Sequence, residues 1–198
     1  HKRWTFLASV VMACLLCSSA SAWAFEASTL HTIHYGQGEV VYLDVASGGM
    51  PLVFVHGWSC DMSFWDAQAA ELSKERRCIL IDLPGHGASS APEVDYTQEY
   101  LMNAVLAVMD DAGVEQAVLV GHSMGAFVIR ILALEHPTRV AGLILVDGAL
   151  MEAPEEPEAR AALEEQLQAM RAMFTGEGAE QATREFIASM HSDQTSEE

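Results

Sequence analysis

The amino-acid sequence predicts an α/β fold, with a doubly wound, mostly parallel sheet covered by helices on both faces. Four short runs, "PLVFVHG", "CILIDLPG", "AVLVGHS" and "AGLILVDG", are apolar throughout and do not alternate polar with apolar residues. Such β-branched runs are typical of parallel strands buried on both sides. The segments between them carry apolar residues at helical spacing. This strand–helix order indicates right-handed crossovers within one sheet.

The remaining elements follow from turn and capping signals. "LHTIHY" and "VVYLDVA" flank Gly36-Gln37-Gly38 and predict a β-hairpin before the four buried strands. In "TQEYLMNAVLAVMDDAGV", Thr97 is a candidate N-cap and Gly113 a candidate helix end. The apolar face of that helix comprises Leu101, Ala104, Val105 and Val108. "DMSFWDAQAAELSKE" and "SMGAFVIRILALEHP" predict two further helices, the second ended by Pro137.

Length and composition indicate one folded domain with an acidic surface. The chain has 198 residues, of which 51% are hydrophobic and 19% charged, enough for one sizeable core. A formal net charge of −18 at pH 7 argues against a nucleic-acid partner, because binding a polyanion requires many Lys and Arg residues. By itself the acidity indicates only solubility. No metal-ligand spacing is present in the sequence.

The first 24 residues have the composition of a secretory signal peptide. Lys2 and Arg3 precede the uncharged stretch "WTFLASVVMACLLC", and "SSASAWA" then supplies small residues for cleavage after Ala22 or Ala24. The apolar stretch is shorter than the about 20 residues of a membrane span. The alternatives are a signal anchor and a lipid anchor at Cys14, which stands in a lipoprotein-like box. We therefore expect a secreted or periplasmic protein with no membrane contact beyond this segment.

Two cysteines, Cys60 and Cys78, remain after that segment. Cys60 follows the carboxyl end of one predicted strand, whereas Cys78 opens the next parallel strand. They are therefore expected at opposite ends of the sheet, beyond the Cα separation of about 7 Å that a disulfide allows. We expect two unbridged and mostly buried thiols.

The strongest chemical signal is Gly121-His122-Ser123-Met124-Gly125, between the apolar run "AVLV" and an amphipathic helix. A serine hydroxyl needs a base and an exposed position to act as a nucleophile. A tight strand-to-helix turn gives that exposure, and the flanking glycines let neighbouring backbone pass close by. The helix start points free N–H groups at developing negative charge. In this context the motif indicates a nucleophile elbow.

A second signal stands earlier in the chain, where "PLVFVHGW" ends a predicted strand at His56-Gly57-Trp58. This is the order expected of a loop that supplies half of an oxyanion hole. The backbone N–H groups of Trp58 and Met124 would then stabilise a tetrahedral intermediate. The alternative is that His56 and Gly57 merely end a strand.

Together, "VFVHGWS", "LIDLPGHGASS", "LVGHSMG" and "LILVDG" resemble the α/β-hydrolase superfamily, in its branch of small serine esterases, over roughly residues 30 to 150. The resemblance implies strand order 1-2-4-3-5-6-7-8 and a triad in the order serine, acid, histidine. It implies Ser123 as nucleophile and Trp58 and Met124 as oxyanion donors, with no metal or organic cofactor. It also implies structural roles for Asp82, Gly85 and Gly87.

The end of the chain departs from that family pattern. Family members place two more strands and the catalytic histidine after a helical cap, whereas residues 150–198 contain no strand-like run. We expect a core over residues 25–149, followed by the start of a cap and a polar tail. The sequence is thus expected to be a fragment truncated after the sixth strand, lacking the catalytic histidine and itself inactive. The sixth strand would present an exposed apolar edge.

No histidine in the sequence meets the requirements of the missing base, which are hydrogen-bond reach and a fixed orientation. His122 is expected to pack away from the catalytic face, and His86 to make a local hydrogen bond. In the family the acid usually follows the seventh strand, which this sequence is expected to lack, although some members place it after the sixth. Asp147, at the end of the sixth strand, is the candidate acid here, since sites of open α/β sheets gather at that edge. The alternative is that Asp147 caps the turn into Gly148. The other histidines, at a helix end, on an early strand and in the tail, are His136, His31, His34 and His191.

These features predict a serine hydrolase that cleaves a small carboxylic ester through an acyl-enzyme intermediate. A thioesterase, a peptidase, a carbon–carbon hydrolase and a haloperoxidase use the same elbow, and fold does not choose among them. Epoxide hydrolases and dehalogenases normally carry Asp at the elbow, so Ser123 argues against both. The alternative from another class is a non-catalytic binding protein with the same fold.

Overall fold

The computed structural model describes residues 28–45, 48–148 and 156–162, together with residues 165, 181 and 185. The chain divides into two compact units, and residues 28–45 and 48–148 belong to one of them. In the other unit, residues 157–162 form an exposed helical stretch. The predicted signal peptide and most of the predicted cap lie outside the described residues. No helix in the described ranges is long and apolar enough to cross a bilayer.

The first of these units alternates strands with helices, as the sequence predicts. Its strands are β1 (Ser28–Tyr35), β2 (Gly38–Val45), β3 (Leu52–Val55), β4 (Cys78–Asp82), β5 (Ala117–His122) and β6 (Val140–Val146). Its α-helices are α1 (Asp66–Leu72), α2 (Gln98–Asp111) and α3 (Met124–Glu135), and 3-10 helices span Met62–Trp65 and Pro137–Arg139. The predicted caps of α2 are confirmed: the Thr97 hydroxyl accepts from Tyr100 N–H, and Gly113 follows the helix with φ +64°.

The six described strands form one sheet in the order β1-β2-β4-β3-β5-β6. β1 and β2 pair antiparallel through the predicted hairpin, and β2 pairs antiparallel with β4. β3 pairs in parallel with both β4 and β5, and β5 pairs in parallel with β6. The order implied by the resemblance is confirmed through its first six strands.

Two apolar layers cover the sheet, because alternate side chains of each buried strand point to opposite faces. Val53 and Val55 of β3 pack on one face with α2 and α3. Phe54, between them, packs on the other face with Trp65 and Ala69. The prediction of a doubly wound α/β fold is therefore confirmed.

β6 is an edge strand of the sheet in the described residues, as expected of the sixth strand, with Leu143 37% and Ile144 48% exposed. The prediction that its run "AGLILVDG" is buried on both faces is wrong, because β6 has a neighbouring strand on one side only among the described residues. Cys78 is fully buried, and burial raises the pKa of its thiol to about 11. Cys60 is half-buried, and neither cysteine is in a disulfide.

Candidate active site

Three parallel strands deliver the predicted site residues to one edge of the sheet. Val55 of β3 is in register with Gly121 of β5, and Gly121 with Leu145 of β6. Because parallel strands end at the same edge, the segments that follow these three residues emerge side by side. The segment 56–58 contains the predicted donor Trp58, and the segment 122–124 contains Ser123 and the predicted donor Met124. The segment 146–147 contains the candidate acid, Asp147.

Ser123 occupies a sharp bend between β5 and α3. Its backbone has φ +48° and ψ −113°, a conformation that non-glycine residues rarely adopt. The Ser123 N–H donates to the Val146 carbonyl over 3.0 Å, and the Ser123 carbonyl accepts from Ala126 N–H over 3.0 Å. The bend is therefore fixed by β6 on one side and by the first turn of α3 on the other. The side chain is half-buried.

The two glycines of the motif permit close backbone approach. A Cβ at Gly125 would lie 2.3 Å from the Val55 carbonyl oxygen and 2.6 Å from that of His56. A Cβ at Gly121 would lie 2.6 Å from the Gly125 carbonyl oxygen. α3 can therefore begin directly above the ends of β3 and β5 only because both side chains are absent.

The loop after β3 lies against the serine. A Cβ at Gly57 would lie 3.2 Å from Ser123 Cβ, so this loop and the elbow are in direct contact. A turn closed by the Cys60 N–H on the Gly57 carbonyl, over 3.3 Å, then carries the chain away. Trp58, the predicted oxyanion donor, lies at the start of that turn and is 37% exposed.

His56 anchors this loop from below. Its Nε2 accepts from Leu83 N–H over 3.1 Å, which assigns the ring proton to Nδ1, and Nδ1 donates to the Gly57 carbonyl over 2.7 Å. The side chain is fully buried, and burial lowers the pKa of His56 to about 4. His56 is therefore neutral at pH 7, and both nitrogens are engaged in holding β3 to the loop after β4.

Met124, the second predicted donor, is the first residue of α3. The N–H groups in the first turn of a helix have no intrahelical acceptor. They lie at the positive end of the helix dipole, which favours negative charge nearby. The Met124 N–H, directly after the serine, therefore has no acceptor within the helix and lies where the helix dipole favours a negative charge.

The "DLPGHG" loop has a structural role built around Asp82. The Asp82 carboxylate is buried and accepts from Met62 N–H over 2.6 Å and from Ala88 N–H over 2.7 Å. Burial raises the pKa of Asp82, whereas the two N–H donors oppose that shift. A Cβ at Gly87, whose φ is +53°, would lie 2.2 Å from the carboxylate. Gly85 also has a left-handed backbone, at φ +82°.

His122 packs as expected, but against the loop next to the serine. Its ring stacks on Phe64 with centroids 4.4 Å apart and planes 20° from parallel. Its Nδ1 is buried without a hydrogen-bond partner, 2.6 Å from where a Cβ at Gly57 would stand. Burial lowers the pKa of His122, an effect that the negative charge of Asp147 opposes. The sequence does not predict this role of Phe64, because "DMSFW" carries no signal for a contact with residue 122.

Asp147, the candidate acid, directly follows β6 and is exposed, with φ +48°. A Cβ at the next residue, Gly148, would lie 2.4 Å from Ala126 Cβ, so the strand end runs across the first turn of α3. Asp147 makes no described hydrogen bond to a histidine. The structure therefore places this carboxylate beside the elbow, and in the described part of the chain no histidine is hydrogen-bonded to it.

No histidine ring in the described residues is hydrogen-bonded to the Ser123 hydroxyl. His56 is occupied as above, and His86 Nδ1 lies 3.1 Å from the Pro84 carbonyl, the local contact predicted for it. His31 stacks on Tyr42, and His136 caps the end of α3. His191 lies outside the described residues. The part of the chain that the structure describes contains no cluster of metal ligands.

Comparison with known proteins extends the likeness beyond these motifs. A pimeloyl-[acyl-carrier protein] methyl ester esterase of Aeromonas hydrophila is 39% identical over 99 residues, which are 50% of this chain and 37% of that enzyme. A dihydrolipoyllysine-residue acetyltransferase component of an acetoin cleaving system, from Pseudomonas putida, is 42% identical over 102 residues, 52% of this chain and 28% of the relative. The chain thus spans well under half the length of both.

Solved structures agree. A hydrolase from Pseudomonas aeruginosa PA01 superposes with a TM-score of 0.64 at 26% identity, over 81% of this chain and 58% of that one. The sequence model of the alpha/beta hydrolase fold matches residues 50–195, most of the chain. With the sheet order and the strained elbow already described, the chain belongs to the alpha/beta hydrolase family.

Proposed function

We propose that this protein is a serine hydrolase that cleaves a small carboxylic ester through an acyl-enzyme intermediate. The observation that carries the proposal is the backbone of Ser123, held at φ +48° and ψ −113° against Gly57 and the start of α3. Strain of this kind persists only where surrounding structure enforces it, and it clusters at active sites. A serine needed only for packing would not require it.

In this proposal the Ser123 hydroxyl attacks the ester carbonyl carbon while a histidine base takes its proton. The N–H groups of Trp58 and Met124 stabilise the oxyanion that forms. The intermediate then expels the alcohol, which receives the proton from the histidine. Water attacks the acyl-enzyme in the same manner and releases the carboxylic acid and the free serine.

In this proposal the base is a histidine outside the described residues, as the resemblance implies, and Asp147 is the candidate acid. The alternative acid stands at the usual family position, after a seventh strand. His56 cannot be the base, since both of its nitrogens are engaged. His122 is not supported as the base, because its Nδ1 is buried against Gly57 and no described hydrogen bond joins its ring to Ser123. Asp147 is supported by its position after β6, beside the elbow.

An ester is favoured among possible substrates by the likeness to a methyl ester esterase. The fold alone does not distinguish ester from thioester or amide cleavage. Rates on matched p-nitrophenyl acetate, thioacetate and anilide substrates separate the three. We expect the oxygen ester to be cleaved fastest, and a higher rate on the thioester would replace this proposal with a thioesterase.

Active-site labelling tests the nucleophile directly. The full-length protein is treated with a fluorophosphonate and mapped by peptide mass spectrometry. We expect the label on Ser123, its loss in Ser123→Ala, and its retention in Ser73→Ala, a serine at the end of α1. A folded wild-type protein that takes no label at Ser123 would favour the non-catalytic binding protein instead.

We also propose that the protein is exported. The support is the signal-peptide composition of residues 1–24. Amino-terminal sequencing of the mature protein, purified from the periplasm or medium of a bacterial host, should begin at Trp23 or Phe25. An unprocessed amino terminus on a cytoplasmic protein would refute export, and a lipid on Cys14 would replace it with anchoring.

A further inference from the structure

We propose that His122 is a positioning residue that fixes the oxyanion loop, residues 56–59, against the nucleophile elbow, residues 121–125. It would do so by filling the slot between the Gly57 backbone and the Phe64 ring. The inference rests on the proposed function for its kinetic consequence only. Its structural consequence can be measured separately.

The first wall of the slot is the loop itself. The position of a Cβ at Gly57 would be 2.6 Å from His122 Nδ1, 3.1 Å from Cε1 and 3.2 Å from Ser123 Cβ. The Gly57 backbone thus rests on the imidazole edge and on the nucleophile at once. Any shift of the ring therefore changes the distance between the loop and the serine.

The second wall is the Phe64 ring, which stacks on the imidazole at 4.4 Å. Phe64 is itself held edge-on by Trp65, with centroids 4.9 Å apart and planes at 89°. Trp65 is buried in the core. Both walls belong to one continuous segment, residues 57–65, so the imidazole acts as a wedge under that segment.

The surroundings of the His122 ring indicate that it acts through packing contacts and not through hydrogen bonds. Nδ1 is buried and has no partner, which is unfavourable for a polar atom. No hydrogen bond joins His122 to Ser123 or to Asp147 among the described residues. What the side chain does supply is a flat group that contacts Gly57 with its edge and Phe64 with its face.

The amides of the wedged segment provide a direct readout. Among them, the Cys60 N–H donates to the Gly57 carbonyl, the Met62 N–H to the Asp82 carboxylate, and the N–H groups of Phe64 and Ser63 to the carbonyl and the carboxylate of Asp61. If His122 holds this segment in place, its removal should let these amides exchange with solvent faster. A residue that merely fills core space would lower protection across the whole domain instead.

The experiment compares the full-length protein in four forms: wild type, His122→Ala, His122→Asn and the control His136→Ala, a half-buried histidine at the other end of α3. Hydrogen exchange read by mass spectrometry should show faster exchange confined to peptides covering 56–65 in H122A. H122N, which keeps a smaller flat group and is the milder variant should H122A fold poorly, should lie between H122A and wild type. H136A should leave this segment unchanged. Unchanged exchange in the segment, or loss spread over the domain, overturns the proposal.

Fluorophosphonate labelling of Ser123 in the same proteins measures the consequence for reaction. A displacement of about 1 Å at the oxyanion loop should slow labelling by about tenfold to a hundredfold in H122A, with a smaller loss in H122N and none in H136A. Faster segment exchange with an unchanged labelling rate would overturn the positioning role. If wild type takes no label, the proposed function fails, and the exchange result alone decides whether His122 holds the loop.

Discussion

Met62 and Asp82 are joined by a 2.6 Å hydrogen bond from the Met62 backbone N–H to Asp82 Oδ1. The second carboxylate oxygen accepts from Ala88 N–H. One buried side chain thus connects the segment after the oxyanion loop with the glycine-rich loop after β4. This bond fixes the far end of the segment whose near end touches Ser123.

Asp82→Ala should destabilise the fold strongly, because two backbone N–H groups would lose their acceptor inside the protein. We expect a loss of about 3 kcal/mol in the free energy of unfolding, measured by urea denaturation. Asp82→Asn, which keeps one acceptor oxygen, should lose less. Asp110→Ala is the control: its carboxylate is 67% exposed and pairs with Arg139, so its loss should stay below about 1 kcal/mol. Equal losses for D82A and D110A would contradict this role.

Stability should fall as the pH is lowered, in part through His56. Its pKa is about 4 in the folded protein and near 6.5 when unfolded, so between these values the unfolded chain binds more protons. The contribution is complete above pH 6.5, and lowering the pH towards 4 should remove up to about 3 kcal/mol. Urea titrations from pH 7 to pH 4.5 measure the slope. His56→Asn should be less stable at pH 7 but less sensitive to pH, and an unchanged slope would refute the assignment.

Two glycine-to-alanine variants should behave very differently. In Gly125→Ala the new Cβ would meet the backbone oxygens of Val55 and His56 at 2.3 and 2.6 Å, and backbone yields poorly. We expect a loss of about 3 kcal/mol or more in thermal or urea unfolding. Gly142→Ala, on β6, would place its Cβ 3.7 Å from Val118, an ordinary contact, and should fold normally. A well-folded, stable G125A would show that α3 does not begin where the structure puts it.

The strain at Ser123 predicts that function is maintained at a cost in stability. Glycine tolerates a positive φ that alanine does not, so Ser123→Gly should be more stable than Ser123→Ala by about 1 kcal/mol. Both variants lack the hydroxyl and should take no fluorophosphonate label. Differential scanning calorimetry of the pair measures the difference. A more stable alanine variant would mean that the bend is not strained.

Most of the fold is readable in the sequence, because its signals are local. The apolar runs of β3, β4 and β5 correctly indicate strands buried on both faces, and Thr97 and Gly113 bracket α2. The role of the two elbow glycines is also predictable from neighbouring residues, because a strand followed by a tight turn and a helix requires residues without side chains at these positions. That Trp58 and Ser123 belong to the same site could be predicted only from the order of the two motifs along the chain.

Contacts between distant segments were not readable. Nothing near Phe64 in the sequence indicates that its ring lies on His122, and nothing near Met62 indicates a bond to Asp82. The sequence predicts that His122 packs away from the catalytic face, and only the tertiary structure shows that it packs against Gly57. Side-chain stacking and burial depend on which loops meet above the sheet.

By itself the sequence determined which residues could do chemistry: the serine between its glycines and the strand ends that would carry the donors, since backbone conformation and burial are encoded in neighbouring residues. Only the tertiary structure decided how those residues are held. The bond from Ser123 N–H to Val146 and the wedge of His122 beneath Gly57 each join positions far apart in the chain. Such contacts arise because parallel strands end at one edge of the sheet, which brings together segments that are distant in the sequence. The packing of those segments then fixes how far apart their side chains lie.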